Sequence, residues 1–585
     1  AAILLNNRVR IAEPRLPEEV RRLGVIVKKR SNDILLSVSV LSPGKTRDTV
    51  FLSNYASSVV VEEIKRVPGV SDVGVFAARD YAMRVWLRPD RMTALGVAPD
   101  EVLRAIRAAN TQYAVGRLGQ APSVDAAFVV PVVTRPRFAT PEEFGGIVLR
   151  SDGAGGALRL RDVARVELGA QGYEQVGALD NQPCVGIRVF LQPGANALDV
   201  ADAVAATVAR LEPAFPPDVR AVIPFDTTRF VRAALGEVRD TLLEAALLVA
   251  LVVFLFLRSG RATLIPMVAV PVSLIGACAG LWLMGYGLNI LTLFAMVIAI
   301  GIVVDDAIIV LENTERLMRE RGLAPAEAAA ESVREVAGAV VAIVCVLVCV
   351  FLPVAFLGGI AGALYRQFAV TLCLSVVISG LVALTLTPTL CARFLRPHPP
   401  GSSPGRVARA LDAFNAGFAR LAAWHARTVR WLLDHPRRAA AIFLGVLAAN
   451  AALLAWIPRA FLPAEDQGYL VGMVNLPDGA GPGRTQAFMD RLTPAFRAVP
   501  AARPAVRHTF AISGFDLIGG GERSNAGTIF LPLKDYADRD VGGPELAGRL
   551  LGIGMSQPDG MCLVVNPPSI RGIGAAGGFE LYLLA

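Results

Sequence analysis

Two adjacent aspartates, Asp305 and Asp306, are the residues of this sequence best placed to do chemistry. They lie in the apolar run 288–311, LNILTLFAMVIAIGIVVDDAIIVL, which contains no other charged residue. A helix rises about 1.5 Å per residue, so the run is long enough to cross a bilayer. Each ionised carboxylate at that depth costs about 2.5 to 3.5 kcal/mol, so such a pair is kept where a partner or a proton compensates its charge. We therefore predict a proton-binding site.

The two carboxylates are too close to act independently. Consecutive side chains on a helix point about 100° apart, so the pair faces two neighbouring sectors of the surrounding helices. Like charges at this separation disfavour joint ionisation, and we expect the pair to titrate as one coupled unit. No Lys or Arg occurs in any of the apolar runs, so a counter-cation must come from elsewhere. The alternative is that both acids reach the nearer interface and act as structural anchors.

The composition indicates membrane helices combined with soluble domains. The chain has 585 residues, of which 54% are hydrophobic and 18% are charged. That is too apolar for a soluble protein and too charged for one confined to the bilayer. The net charge of +8 comes mainly from Arg and is typical of cytoplasmic loops in a membrane protein. No basic surface interleaved with aromatic residues accompanies it, so we expect no nucleic-acid partner.

Five further apolar runs accompany the one that carries the acids, which gives six candidate spans within 236–458. Prolines interrupt several of them and predict kinked or broken helices. The further runs are 241–257, 262–283, 338–357, 367–391 and 439–457, and the prolines are Pro266, Pro271, Pro353 and Pro388.

Basic residues predict the orientation of these spans. The segments 258–261, 312–335 and 393–438 are rich in Arg, as cytoplasmic loops are, whereas the connections between them are not. Alternation then places both flanking regions on the same, non-cytoplasmic side. Within 393–436, the stretch 407–433 has apolar residues at helical spacing among arginines. It is either an interfacial helix on the cytoplasmic leaflet or an ordinary soluble loop.

The flanking regions, 1–235 and 459–585, mix strand and helix patterns and predict α+β subdomains. Strands are expected at 34–40 and 82–87, and helices at 100–110 and 197–211. The chain opens at Ala1 in sequence that resembles the middle of a domain. We therefore expect both flanking regions to be incomplete.

Other chemistries have little support in the sequence. The string 42–46, SPGKT, ends like a phosphate-binding loop but has Ser39 where the first Gly belongs. The Gly-rich stretch 572–578 follows no convincing strand, and the four His are scattered. No hydrolase triad is recognisable. The sequence predicts no enzyme, no cofactor and no metal site, with protons as the coupling ion.

The segment 301–313, GIVVDDAIIVLEN, resembles the fourth-helix motif of the resistance-nodulation-division (RND) transporters, in their hydrophobe/amphiphile efflux branch. Seven more motifs resemble signatures of that family, and they occur in family order. They are 81–86 (YAMRVW), 161–164 (RDVA), 194–197 (GANA), 226–228 (DTT), 261–266 (RATLIP), 365–368 (YRQF) and 461–468 (FLPAEDQG).

The resemblance implies a proton-driven multidrug efflux transporter of the bacterial inner membrane. Such a protein is a homotrimer that joins a periplasmic adaptor and an outer-membrane channel. Residues 1–235 would be most of the first periplasmic porter and docking region, and 459–585 would begin the second. The six spans would be helices two to seven. The family's Lys and Arg partners of the acid pair would lie outside this sequence.

The resemblance also implies a periplasmic pocket for amphiphilic substrates, lined by apolar and aromatic side chains. Two positions, Ile34 and Leu517, carry aliphatic residues where the family often has aromatic ones. The segment 514–525 resembles the family's flexible Gly-rich switch loop, with different charges. The other pocket positions in this sequence are Phe76, Phe225, Phe510, Ile512, Phe515 and Phe530.

Two other functions stay open. One is export of metal cations by another branch of the superfamily, although that branch spaces its membrane acids differently. The other is a truncated, non-transporting remnant that binds only ligands or partner chains. The absent counter-cation favours the second alternative for this chain by itself.

Overall fold

The computed structural model describes residues 2–568 except for 26, 28–33, 112–115, 119–127, 133–136, 152–155, 258, 397–405, 458–464, 518 and 520. The chain divides into two compact units. We call Ala1–Phe230 with Leu462–Ala585 the sheet unit, and Val231–Phe461 the helical unit. The two parts of the sheet unit come from opposite ends of the sequence.

The sheet unit contains all of the strands found in the described residues. They are β1 (Ile34–Leu41), β2 (Val70–Phe76), β3 (Tyr81–Leu87), β4 (Arg117–Leu118), β5 (Val130–Pro131), β6 (Val148–Ser151), β7 (Ala157–Arg159), β8 (Ala164–Ala170), β9 (Val176–Leu179), β10 (Gln182–Leu191), β11 (Arg220–Asp226), β12 (Tyr469–Asn475), β13 (Phe510–Asp516), β14 (Gly521–Pro532) and β15 (Met561–Val565).

Its helices are mostly short. They are α1 (Ala2–Ala12), α2 (Glu18–Leu23), α3 (Thr49–Tyr55), α4 (Val61–Lys65), α5 (Pro89–Ala94), α6 (Pro99–Ala109), α7 (Pro141–Gly145), α8 (Leu160–Val163) and α9 (Ala197–Leu211), followed after the helical unit by α17 (Pro482–Ala498), α18 (Ala502–Ala505) and α19 (Gly543–Met555).

One antiparallel sheet joins the two parts of the sheet unit. Its strand order is β11-β1-β10-β9-β13-β14-β12-β15, with β2 also paired to β10. The seam is the pairing of β9 with β13, in which Leu179 lies opposite Phe510 and Val176 opposite Ser513. The strands β3 and β8 form a separate pair with its own apolar core, which includes Met92, Phe144 and Leu160.

The predicted elements of the first flanking region are confirmed within one or two residues. The strands at 34–40 and 82–87 are β1 and β3, and the helices at 100–110 and 197–211 are α6 and α9. The segment 514–525, predicted as a loop, is instead largely a hairpin. Phe515 pairs with Glu522 and Asp516 with Gly521, because both strands continue beyond Ser513 past a bulge.

A buried ion pair holds the start of the second flanking region. The Arg539 side chain is only 2% exposed, and its guanidinium donates to Asp466 Oδ2 at 2.5 Å. Burial raises the pKa of the Asp466 carboxyl, but hydrogen bonds from Arg539 and from the amides of Gly543 and Gly468 outweigh it. The pKa of Asp466 therefore lies below its usual value, and folding favours its charged form.

Replacing Asp466 with Asn should lower the stability of the intact protein at neutral pH, because Arg539 then stays buried without its counter-ion. A lowered folded-state pKa stabilises the fold above the ordinary Asp value, and this stabilisation disappears as the pH falls through the folded-state pKa. The difference in melting temperature between wild type and variant should therefore shrink below about pH 4. Thermal unfolding of wild type and variant, followed from neutral to acid pH, measures this difference in melting temperature.

The control is Asp490→Asn, which replaces an exposed acid. An equal shift of the melting temperature in both variants would refute the prediction.

The helical unit contains seven long helices in its described residues. They are α10 (Thr228–Leu257), α11 (Gly260–Leu283), α12 (Ile290–Arg321), α13 (Pro325–Phe351), α14 (Gly359–Phe394), α15 (Arg406–Asp434) and α16 (Pro436–Trp456). All except α15 are long and apolar enough to cross a membrane, which gives six candidate spans. The predicted fold class, a helical membrane bundle with six spans plus α+β subdomains, is confirmed.

The four helices α11 to α14 pack against one another around α12 and α14. Glycines of α11 allow the closest approach to α14. A Cβ atom at Gly276 would lie 2.9 Å from Ile378, and one at Gly280 would lie 3.2 Å from Leu374. In α10, by contrast, few residues of the apolar part are fully buried within the described chain, and in α16 none is.

The structure rules out one alternative in each of two predictions about helix continuity. Pro266 and Pro271 lie inside α11 and Pro388 lies inside α14, so these prolines do not break the helices. Only Pro353 lies at a change of geometry, in the 3-10 segment that follows α13. The stretch 407–433 is part of α15, so the alternative of a soluble loop is wrong.

Candidate functional site

The acid pair lies near the middle of α12, a continuous helix. At its start, Asn289 Oδ1 accepts the amide of Thr292 at 3.1 Å, and Thr292 Oγ1 accepts the amide of Asn289 at 2.8 Å. At its end, Gly322 adopts the left-handed conformation that terminates helices. The α-helix is continuous between these two caps, so the backbone at the acids is helical.

Asp306 is buried between α12 and α14, with 2% of its surface exposed. The hydroxyl of Ser379 in α14 donates to Asp306 Oδ2 at 2.7 Å, and the carbonyl oxygen of Val303 lies 3.4 Å from the same hydroxyl. A hydrogen bond to a charged group is worth about 1.5 to 3 kcal/mol. Ser379 therefore stabilises a carboxylate that the apolar surroundings disfavour.

Asp305 faces a neighbouring sector and is exposed on a surface of α12 shared with the exposed Phe294 and Ile298. No residue of the described chain forms an ion pair with Asp305. The two acids thus occupy different surroundings, as their spacing on the helix predicts. The counter-cation outside this sequence stays a prediction.

A polar network ties the later part of α12 to the beginning of α13. Glu335 accepts from Arg316 at 2.7 Å, from Arg321 at 3.0 Å and from Asn313 at 3.1 Å. The Asn313 amide also donates to Ser332, whose hydroxyl donates to the carbonyl oxygen of Val310. These contacts restrict rotation of α12, and therefore the directions in which its acids point.

The structure brings all eight predicted pocket residues into one hydrophobic cluster on the sheet unit. Six are buried, and Ile34 and Leu517 pack against them partly buried. We call this set, which spans the seam between β9 and β13, the phenylalanine cluster: Ile34, Phe76, Phe225, Phe510, Ile512, Phe515, Leu517 and Phe530.

The rings of the phenylalanine cluster contact one another. Phe76 lies edge-on to Phe510, with ring centroids 6.2 Å apart, and to Phe515 at 5.1 Å. Phe530 is 6.1 Å from Phe510 and 5.4 Å from Phe225. In this conformation the rings fill the space between themselves. Their role as substrate contacts stays a prediction.

A cavity of about 210 Å³ adjoins the cluster at Phe515. Its walls include Glu174, Glu522 and Arg188, and the Arg188 guanidinium lies 4.7 Å from the centroid of the Phe76 ring. Gln175 donates to Glu522 at 3.1 Å across the cavity wall. An apolar surface next to charged groups suits amphiphilic molecules.

The residue that sequence reasoning missed is Ser379. Counting apolar residues treats a single Ser in a membrane span as neutral. The available signal was the spacing of polar residues in α14. They occur at every fourth position, at 367, 371, 375 and 379. That spacing places them on one face of a helix.

Comparison with known proteins decides the family. The sequence model of the AcrB/AcrD/AcrF family matches residues 1–585, the whole chain. The chain belongs to this family. Its predicted resemblance to the RND transporters is therefore confirmed.

Two of the curated proteins that this chain resembles come from Escherichia coli and Pseudomonas putida. The multidrug export protein AcrF of Escherichia coli (strain K12) is 39% identical over 590 residues, covering 100% of this chain and 56% of that protein. The toluene efflux pump membrane transporter TtgB of Pseudomonas putida is 38% identical over 584 residues, covering 100% of this chain and 55% of that protein. The chain spans about half the length of the curated relatives it matches.

Family membership and the six apolar helices together confirm the predicted location, a multi-pass protein of the bacterial inner membrane. The positions of the acid pair and of the phenylalanine cluster are now defined by structure.

Proposed function

We propose that the intact protein exports hydrophobic and amphiphilic compounds across the inner membrane in exchange for protons, and so contributes to antibiotic resistance. The observation that carries this proposal is the buried Asp306, which lies inside a membrane helix and is hydrogen-bonded to Ser379. A carboxylate kept at such a site is expected to exchange protons. Curated relatives named as multidrug and toluene efflux proteins support the choice of substrate class.

Protonation of Asp306 changes the hydrogen bonding between α12 and α14. The carboxylate accepts a hydrogen bond from Ser379, whereas the neutral acid can donate one. The Ser379 hydroxyl then turns to the carbonyl oxygen of Val303, which is already 3.4 Å away. Removal of the charge also removes the cost of holding it among apolar side chains. Each protonation state therefore favours a different packing of the two helices, which is a shift in population driven by protons.

The phenylalanine cluster is the proposed substrate site. A ligand can enter it only if the rings separate, because they contact one another in this conformation. Most of the cluster lies on strands from both sides of the β9–β13 seam, so movement at the seam would open it. Aromatic rings then provide stacking surfaces for apolar ligands.

The proposed assembly is a homotrimer that joins a periplasmic adaptor and an outer-membrane channel. Small amphiphilic compounds and membrane lipid are the other partners. The coupling ion is the proton, and no cofactor is required. No group of three or more His, Cys, Asp or Glu side chains suited to a metal ion occurs among the described residues, and no observation favours metal export.

Transport by the purified intact protein in proteoliposomes tests the proposal. An imposed pH gradient should drive an amphiphilic dye across the membrane, and protons should move in the opposite direction. A gradient of reversed sign and vesicles without protein are the controls. Dye movement that ignores the gradient would overturn proton coupling. Failure of the intact protein to move any amphiphilic dye would favour a non-transporting role.

A further inference from the structure

Four polar residues follow one another at four-residue intervals along α14: Gln367, Thr371, Ser375 and Ser379. We call them the polar stripe. Gln367 is partly exposed, whereas Thr371 and Ser375 are fully buried and Ser379 is 1% exposed. The stripe therefore runs for about three helical turns, from a partly exposed position in the first third of α14 into its buried interior.

Both ends of the polar stripe contact α12. At one end, the Asn289 side-chain amide donates to Gln367 Oε1 beside the first turn of α12. At the other end, Ser379 donates to Asp306. The stripe thus connects a partly exposed pair of amides with the buried acid. The end with the amides is the one that the distribution of Arg assigns to the non-cytoplasmic side.

The hydroxyls between these ends bond to their own helix. Thr371 donates to the carbonyl oxygen of Gln367 at 2.6 Å, and Ser375 to that of Thr371 at 2.8 Å. Each oxygen keeps lone pairs that can accept another hydrogen bond. The hydroxyls are therefore satisfied at rest and still able to bind a water molecule or a proton in transit.

Close packing alone does not explain the stripe. Small residues let membrane helices approach, and hydroxyl residues are common at such contacts. The close approach of Gly276 and Gly280 in α11 is to Ile378 and Leu374 of α14, not to the residues of the stripe. An aliphatic residue with the shape of Thr371, such as Val, would fill the same space without burying an oxygen.

Besides the three hydroxyls of the stripe, a further buried hydroxyl lies at the level of its inner end. Ser273 of α11 is fully buried, and its oxygen has no hydrogen-bond partner among the described residues. The contacts of Gly276 with Ile378 and of Gly280 with Leu374 show that α11 and α14 run in opposite directions. By that register Ser273 lies within about one turn of Ser379. A buried, unsatisfied hydroxyl at this level is consistent with a polar path rather than a dry core.

We propose that the polar stripe is the route by which protons travel between the non-cytoplasmic end of the bundle and Asp306, an inference that rests on the proposed proton-coupled export. Successive residues of the stripe are about 6 Å apart, one helical turn, which is too far for a direct hydrogen bond. Water molecules between the hydroxyls carry the proton, and each hydroxyl accepts one hydrogen bond while it donates another. The proton ends on the Asp306 carboxylate, which becomes a carboxylic acid.

Two substitutions of Thr371 in the intact protein separate the hydroxyl from its packing. Thr371→Val keeps the shape and removes the hydroxyl, whereas Thr371→Ser keeps the hydroxyl and removes a methyl group. If the stripe conducts protons, Thr371→Val combined with Ser375→Ala should slow proton uptake by about tenfold or more, and Thr371→Ser should be close to wild type. If the stripe only contributes packing, the variant with Thr371→Val should take up protons at the wild-type rate, and Thr371→Ser should be slower.

The matched control is Thr385→Val. Thr385 also lies in α14 and also donates to the carbonyl oxygen four residues earlier, that of Leu381 at 2.5 Å, but it is exposed and outside the stripe. This variant should behave like wild type. An equal slowing in Thr385→Val would overturn the proposal, because it would assign the effect to general weakening of α14.

Two readouts distinguish the stripe from the proposed function. One is proton movement coupled to dye transport in proteoliposomes. The other is the rate at which the Asp306 carboxyl exchanges hydrogen for deuterium, followed by infrared difference spectroscopy against Asp306→Asn. If wild type transports dye and the double variant matches it in both readouts, the proposed proton route along the stripe is refuted and the proposed proton-coupled export stands. If wild type transports nothing, the function fails, and the exchange rates alone decide whether the stripe carries protons.

Discussion

Replacing Asp306 with Asn is expected to abolish proton-driven transport by the intact protein while leaving it folded in the membrane. Asn has nearly the shape of Asp, and its side-chain oxygen can still accept the hydrogen bond from Ser379 that is 2.7 Å long in the wild type. The amide cannot bind and release a proton in the range that cells use. The substitution therefore removes the proposed chemistry and retains most of the packing. Dye transport under an imposed pH gradient in proteoliposomes measures the loss.

The control for this prediction is Glu320→Gln, which neutralises an exposed acid of the same helix beyond the apolar run. It should transport like wild type. If Asp306→Asn still transported at a wild-type rate per folded molecule, Asp306 would be a structural anchor. The yield of folded protein, measured by size-exclusion chromatography, separates loss of transport from loss of folding.

Replacing Phe510 with Ala should destabilise the sheet unit by about 3 to 5 kcal/mol, the range found for truncating buried aromatic residues. Phe510 is 1% exposed and contacts the rings of Phe76 and Phe530. It also packs on Gly186, where an added Cβ atom would lie 2.5 Å from the ring. The neighbouring backbone is therefore shaped around this side chain and cannot readily collapse into the space that it leaves. Urea unfolding of the purified intact protein, read by pulse proteolysis, measures the change.

The exposed Phe128, with 82% of its surface accessible, provides the same substitution outside a core. Phe128→Ala should change the free energy of unfolding by less than about 0.5 kcal/mol. Comparable values for both variants would mean that the phenylalanine cluster contributes little to stability. The cluster would then be loosely packed in solution.

The membrane helices were predictable because each is specified by its own residues. Hydropathy located all six, although it misjudged their ends. The apolar run at 338–357 corresponds to α13, which begins at Pro325 in a polar stretch. Hydropathy reports which residues suit the bilayer, whereas the helix continues as far as its backbone hydrogen bonds do. Neighbouring helices allow Pro266 and Pro271 to remain inside α11, so the alternative of a broken helix was wrong there, and a kink stays a prediction.

The site was only partly predictable, because its contacts join distant parts of the sequence. The acid pair stands out by its charge, but Ser379 lies 73 residues from Asp306, and only the packing of α14 on α12 brings them together. The eight residues of the phenylalanine cluster were named from a family resemblance. Nothing local in the sequence shows that Phe76 and Phe510 meet. The hairpin within 514–525 was missed because its Gly-rich sequence suggests a loop, whereas pairing of β13 with both β9 and β14 makes it strand.

The pairing of β9 with β13 also has a consequence for biosynthesis. Val176 and Ser513 are 337 residues apart, and all six apolar helices lie between them. At the usual speed of translation, about 5 to 20 residues per second, the ribosome needs roughly 20 to 70 s to cover that distance. During this interval the edge of β9 has no partner strand, and such edges invite association with other chains. A nascent chain of this protein is therefore expected to need a chaperone at β9 until its second half has been exported.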